Sequence, residues 1–391
     1  MKKTILFNII IAAMSAAVIT GCSGALAIVL GSNDSSFSGG KNSERLPDSK
    51  RMDGEPETTE NVAASNKDIT ICLIARGFHS QYWQAAYKGA KSAAQELGVT
   101  LEFQGPDSET DIAQQVQMMD DAVQMKPQAI GLAALDVSAL NDPIKAARDA
   151  GIPIIGFDTG APDAPAGSVV ANAVTDSYRA GENAAENAYA LVADKISEAS
   201  GSVRIGVISQ DATSERIVNR GLGFIDKITS LIEADRKTVC ITGNDRFVRE
   251  ANTEKGHLAQ VILDVVVPSN IKASQMTLAA QTLLNKEDTI CVFASSDKTS
   301  EAMINGDDTL DRLGKDVIGV AFGSGVMIKN AIREGKLAGA VTHVPVEIGY
   351  QTVQIAVKAA NGERVEDVDT GSLWYNAENM DNPEIADNLY D

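Results

Sequence analysis

From Ile69 onward, short runs of β-branched and aliphatic residues alternate with longer stretches that carry a helical period. Runs such as "ITICLIA" (69–75) and "TICVFAS" (289–295) have no polar face to give to water, so each strand must be covered on both sides. Buried strands separated by amphipathic helices are the pattern of parallel α/β structure. The periodicity predicts strands at 69–75, 99–104, 129–134 and 153–157, with helices over 81–97, 111–125 and 138–150. A second series follows: helix 177–195, strand 203–209, helix 215–233, strand 260–267, helix 272–285 and strand 289–295. Helix 298–304, strand 316–322, helix 325–334, segment 338–343, helix 346–360 and segment 370–375 complete it. So many strands exceed one comfortable open sheet, and the expected fold is two doubly wound, Rossmann-like α/β lobes. No Pro-rich linker divides them, which points to a hinge of several crossing strands. Residues 235–258 read as an insertion, a strand and a turn, with no role assigned.

The beginning of the chain belongs to neither lobe. "MKKTILFNIIIAAMSAAVITGCSG" has a positive start, an apolar stretch and small residues before a cysteine, the layout of an export signal. "VITGC" resembles the bacterial lipobox, which would make 1–21 a lipoprotein signal peptide and Cys22 the lipidated first residue. The uncharged run continues to about Gly31, long enough to span a bilayer if it were retained as an anchor instead. Both readings place the remainder outside the cytoplasm, tethered to the bacterial cell membrane. Residues 32–67 are rich in Ser, Asn, Asp, Glu and Gly and nearly empty of large apolar side chains, and 22–67 as a whole read as a flexible tether.

Composition narrows the function. Hydrophobic residues make up 44% of the 391, so the body of the chain has a core to bury. The formal charge of -19 argues against nucleic acid, whose phosphates call for a basic surface. Four cysteines show no CxxC spacing and there are three histidines, so neither a metal nor a cofactor is expected. Cys72 and Cys291, inside apolar runs, read as buried inert thiols. No Ser-His-Asp order, HExxH, Walker loop or full GxGxxG occurs, and the chain is not expected to be an enzyme.

In open α/β sheets ligands bind beyond the carboxyl ends of the strands. Those positions carry Arg76, His79, Tyr82 and Trp83 after the first strand, Asp136 after the third and Asp158 after the fourth. The second series offers Arg220 in "NRGLGF", Ser296 and Asp297 in "ASSDK", Ser324 in "FGSG", and His343. Several have a second reading. Asp136 and Asp297 suit helix caps, Tyr82 and Trp83 suit first-turn core packing, and Arg220 suits a solvated helix face. Taken together, ring faces for C–H surfaces and charged groups for hydroxyls form a consistent sugar-binding chemistry.

The stretches "QYWQAAYKGAKSAAQELG", "GIPIIGFDTG", "NRGLGF" and "AIREGKLAGAVTHVPVEIGYQTVQIAVKAANGE" carry a resemblance covering nearly all of 68–391. The chain resembles the periplasmic substrate-binding proteins of ABC transporters, of the ribose/galactose-binding type with the LacI-like fold (type I periplasmic binding protein). The resemblance implies a first lobe of 68–175 plus 344–371 and a second of 176–343 plus 372–391. Crossings would fall near Thr175/Asp176, His343/Val344 and Gly371/Ser372. It also implies that Tyr82 and Trp83 form a ring platform under a sugar, and that Asp158 and Arg220 bind its hydroxyls. Departures from the family pattern are His79 and Ser296 for asparagines, Gly323 for an aspartate, His343 for a glutamine and Arg76 for a small residue. By that count one anionic anchor is lost and basic groups are gained, which favours a modified, larger or acidic sugar, or a cyclitol. The function so implied is a monomeric solute-binding lipoprotein that delivers its ligand to an ABC transporter permease. A sensor feeding a chemoreceptor or sensor kinase is the alternative; the export signal and missing DNA-binding head exclude a repressor. If Cys22 carries the lipid, Cys22→Ala abolishes palmitate incorporation in cells; label retained in that variant refutes it.

Overall fold

The computed structural model describes residues 66–248 and 258–391. The expected signal peptide, Cys22, the tether up to residue 65 and part of the expected insertion lie outside these residues. In chain order come β1 (Thr70–Ile74), α1 (Gln81–Leu97), β2 (Thr100–Gln104), α2 (Ile112–Met125), β3 (Ala129–Leu132), α3 (Asn141–Asp149), β4 (Ile154–Phe157) and β5 (Val169–Val174). A second series holds α4 (Ser177–Glu198), β6 (Val203–Ile208), α5 (Glu215–Ala234), β7 (Val239–Gly243), β8 (Val261–Val266) and α6 (Ala273–Leu284). It continues with β9 (Thr289–Ala294), α7 (Asp297–Asp307), β10 (Ile318–Phe322), α8 (Val326–Arg333) and β11 (Gly339–His343). Last are α9 (Pro345–Ala360), β12 (Val368–Asp369), β13 (Ser372–Tyr375) and the short α10 (Pro383–Ala386).

The strands form two sheets, ordered β12-β5-β4-β3-β1-β2 and β13-β11-β10-β9-β6-β8-β7. All their pairings are parallel except that of β13 with β11. The two doubly wound units expected from the alternation are therefore both present. The chain leaves the first sheet after Val174, and α9, which follows β11, packs back on β3, β4 and β5. It changes sheet again between Asp369 and Ser372. Asp369 ties two of these passages together by accepting from the main-chain N–H of Asp176 and of Gly371, each at 2.9 Å.

The periodicity located α1 to the residue, because both of its ends are chemically marked. Ser80 caps the start, its Oγ accepting from Trp83 N, and Gly98 ends the helix in the left-handed region at φ 69°. Other boundaries differ. The third helix starts at Asn141 rather than 138, since Pro143 has no N–H and fits only the first turn. Val239–Gly243, read as part of an insertion, is an edge strand paired with β8. Strands β5 and β12 and helix α10 were not anticipated; β5 is only half-buried and lacks the apolar run that marks its neighbours. Asn66, assigned to the tether, is 2% exposed and donates to Leu97 O, so it belongs to the folded body. Cys72 and Cys291 are buried as expected, and burial pushes their thiols up to about 11 and about 12.

The two units pack their helices by the same device. On the first sheet α1 meets α9 so closely that a Cβ at Gly89 would stand 1.8 Å from Val346 O, and one at Gly349 1.9 Å from Ala86 O. On the second, α4 meets α5, and a Cβ at Gly181 or Gly223 would stand 2.0 Å from the carbonyl of Arg220 or Tyr178. Of the glycines of "NRGLGF", Gly223 thus serves helix contact, while Gly221 makes room for the Phe247 ring. A methyl there has only rigid backbone to push against, so Gly349→Ala is expected to lower stability by about 1–3 kcal/mol. Thermal or urea unfolding checks this, and an unchanged midpoint would contradict the contact.

Candidate functional site

Strand order reverses between β1 and β3 in one sheet and between β6 and β9 in the other. At such a reversal, neighbouring strands send their chains to opposite faces and leave a crevice at their carboxyl ends. Buried Gln115 of α2 stitches the first crevice. Its Nε2 donates to the carbonyls of Ala75 and Ala133, and its Oε1 accepts from Leu135 N. In the second crevice Ser295 N donates to Ile208 O, and the Ser296 hydroxyl donates to Gln210 Oε1 at 2.9 Å.

Between these ends lies a cavity of about 300 Å³ lined from both units, by Arg76, Ser80, Tyr82, Trp83, Glu109, Asp158, Thr159, Arg216, His343, Tyr390 and Asp391. A larger hollow of about 590 Å³ adjoins it, sharing Asp158, Thr159 and Arg216, and opens along the loop 161–167. Asp158 stands where the two meet. Its backbone is in the left-handed region at φ 56°, a conformation disfavoured for a residue with a side chain, and Tyr82 Oη donates to its carboxylate at 2.5 Å. Burial raises the carboxyl above its usual range, with Arg216 opposing that shift. Burial and the neighbouring carboxylate push the Tyr82 phenol up as well.

Of the residues singled out in the sequence, Arg76, Tyr82, Trp83, Asp158 and His343 line the cavity. The flat platform expected of Tyr82 and Trp83 is not formed. Their rings meet edge to face at 4.9 Å and 89°, and Trp83, 2% exposed, packs against Phe157 in the core of the first unit. Its Nε1 donates to Glu109 Oε1 at 2.8 Å, and Glu109 also faces Arg76 at 3.7 Å. His79 turns outward to Asp107, with 69% of its side chain exposed, and takes no part in the cavity. Asp136 is a turn cap, accepting from Ala139 N at 3.0 Å.

Arg220 is buried rather than solvated, and stands behind the cavity wall rather than in it. Its guanidinium lies 3.5 Å over the Phe322 ring, Nη1 donates to Ser295 O at 2.7 Å, and Nε has no partner. Burial lowers its pKa to about 9, which leaves it charged at neutral pH. Ser296 caps α7, and Asp297 follows it, accepting from the main-chain N–H of Ser324. Asp297 also fills the space beside Gly323. A Cβ at Gly323 would stand 1.9 Å from Asp297 Oδ1, so this carboxylate occupies the space an aspartate at 323 would need. Ser324, fully buried, holds the main chain of Tyr390 by accepting from its N–H and donating to its carbonyl.

Sequence reasoning missed Arg216, Glu109 and Tyr390. The first turn of α5 and the second strand-to-helix loop would have pointed to Arg216 and Glu109; Tyr390 lies in a segment without periodicity. Among the described residues no group of three or more His, Cys, Asp or Glu side chains is placed to hold a metal ion.

His343 lies against Phe322, and its Nδ1 is buried without a partner. Burial and the charges of Arg220 and Arg216 lower its pKa well below 6.5. The folded ring therefore stays neutral while the unfolded ring takes a proton below pH 6.5, so this group costs stability as pH falls through that value. The slope approaches about 1.4 kcal/mol per pH unit. Unfolding titrations of His343→Gln should match the parent's pH dependence at pH 7–8 and lose less stability between pH 6.5 and 5; parallel curves would contradict this.

The periplasmic binding protein domain family matches residues 71–364. The ribose import binding protein of Bacillus subtilis strain 168 is 23% identical over 305 residues, 78% of this chain and 86% of its own. That of Escherichia coli K12 is 24% identical over 309 residues, 79% of this chain and 90% of its own. A solved structure described as an ABC transporter, LacI family transcriptional regulator from Brachyspira murdochii is 28% identical. It superposes with a TM-score of 0.67 over 83% of this chain and 99% of its own. An ABC transporter solute-binding protein from Agrobacterium vitis with bound D-fucose is 25% identical, with a TM-score of 0.56 over 82% of this chain and 100% of its own. With two doubly wound sheets facing one another across a polar cavity and a family match over three-quarters of its length, the chain belongs to the periplasmic binding proteins.

Proposed function

We propose that the chain captures a sugar or sugar-like solute in the cavity between its two units and passes it to an ABC transporter permease. One observation carries this reading. Asp158, a buried carboxylate in a left-handed turn, is aimed by the Tyr82 hydroxyl into a space lined from both sheets. A carboxylate accepts from sugar hydroxyls with the strength of a charge-assisted bond, and Arg76 and Arg216 line the same space as donors to ring and hydroxyl oxygens. Arg220 and Asp297 charge the wall from behind. The ribose import proteins and the D-fucose complex among the relatives support a sugar as the ligand class.

Closure of the units about the ligand is a hinge motion at the three crossings, and it leaves the internal packing of each sheet unchanged. The units so joined are 68–175 plus 344–371 and 176–343 plus 372–391. The "VITGC" segment supports anchorage through Cys22 on the outer face of the cell membrane, with 23–65 as the tether. No helix among the described residues is long and apolar enough to cross a membrane.

The test is a thermal-shift and tryptophan-fluorescence screen over pentoses, hexoses, sugar acids and cyclitols. A ligand at 100-fold its dissociation constant adds about 2.7 kcal/mol to stability. Asp158→Ala is expected to weaken the best ligand by about 2–5 kcal/mol. Silence across the whole panel, or parental affinity in that variant, would sink the reading.

A further inference from the structure

The segment that follows β13 ends in the cavity. Tyr390 is carried there by residues with no strand or helix of their own beyond the short α10. Its ring meets Tyr82 edge to face, with centroids 4.9 Å apart and planes at 87°. Thr342 Oγ1 donates to its hydroxyl at 3.3 Å, and the charges of Asp297, Asp158 and Arg220 all act on the phenol. Tyr390 therefore joins Tyr82 of the first unit to Thr342 and Ser324 of the second at the edge of the cavity.

We infer that Tyr390 is a specificity-determining wall of the ligand site, limiting the occupant to one small ring; this rests on the binding role proposed above. Two features distinguish a wall from a displaceable plug. First, the segment is fixed on both sides of the cleft. The fully buried Ser324 bonds both the N–H and the carbonyl of Tyr390, at 2.9 and 3.1 Å, and Leu389 packs into the core of the second unit. Toward the first unit, Asp387 pairs with Lys88 at 2.6 Å, and Asp391 accepts from Gln81 at 2.8 Å while also pairing with Lys329. Second, about 300 Å³ stays open on the Tyr390 side of Asp158, at the lower end of the range for small-molecule pockets, while the adjoining hollow of about 590 Å³ lies on the far side of Asp158 and is not lined by Tyr390. A ring held in this way takes up room that a second sugar unit would need.

The experiment compares the parent with Tyr390→Ala and Tyr390→Phe, all in a Trp374→Phe background so that Trp83 is the one remaining tryptophan. The probes are D-ribose, D-fucose and D-arabinose as single rings and maltose and cellobiose as double rings, titrated by calorimetry. Tyr390→Ala should bind single rings at least about tenfold more weakly and gain binding of a disaccharide, whereas Tyr390→Phe should keep the size preference. Uniform tightening in Tyr390→Ala would make the ring a competitor and overturn the wall; an unchanged profile would overturn it equally. Acrylamide quenching of Trp83 without ligand decides the matter if no sugar binds. Quenching should rise in Tyr390→Ala and not in Tyr390→Phe, and equal quenching in all three overturns the inference even where the sugar reading itself has failed.

Discussion

A parallel sheet brings the carboxyl ends of its strands to one edge, and the rest of this molecule is arranged around that constraint. Each apolar strand is exhausted at its end, and the chain must turn there to begin a helix. The residues of the turn are the first that the core does not claim. Two such sheets joined at three crossings present these turns to each other, so Arg76, Tyr82 and Asp158 of one face Arg216 and His343 of the other across a single space. Helix contacts through Gly89, Gly349, Gly181 and Gly223 hold each sheet's layers close, which gives the turns a rigid base.

Rigidity matters because the site keeps charge out of water without fully pairing it. Arg220 is buried with an unpartnered Nε, Asp158 and Asp297 are raised by burial, and His343 is held neutral. Unpaired polar groups in a low dielectric are costly, and a collapsible scaffold would repack to satisfy them. Here the Phe322 ring under Arg220 and the Tyr82–Asp158 bond hold the groups in place. On the reading proposed above, a ligand with hydroxyls would supply partners to the groups that line the cavity, Asp158 and His343, while Arg220 and Asp297 stay behind its wall.

The relation between Gly323 and Asp297 shows how such a site tolerates change. The two belong to adjacent strand ends, β10 and β9, and a carboxylate at either reaches much the same volume. Glycine at 323, at φ 110°, is required both by its backbone and by the Asp297 carboxylate beside it. The carboxylate and the glycine are thus coupled by space although 26 residues separate them in the chain.

The sequence by itself determined the two doubly wound units, the extent of α1 and the inertness of Cys72 and Cys291. Apolar runs, a helical period and the marked ends at Ser80 and Gly98 are local signals, and burial follows from them. It also identified Tyr82, Asp158 and His343, which sit at strand ends that periodicity locates. Only the tertiary structure decided that Trp83 turns into the core, that His79 turns out to Asp107, that Asp136 caps a turn and that Arg220 lies behind Phe322. Direction at a turn depends on which neighbour is already there, and those neighbours are distant in the chain. Tyr390 is the extreme case: three hundred or so residues separate it from Tyr82, and nothing local marks a ring at 390 as belonging to a cleft that opens at 82.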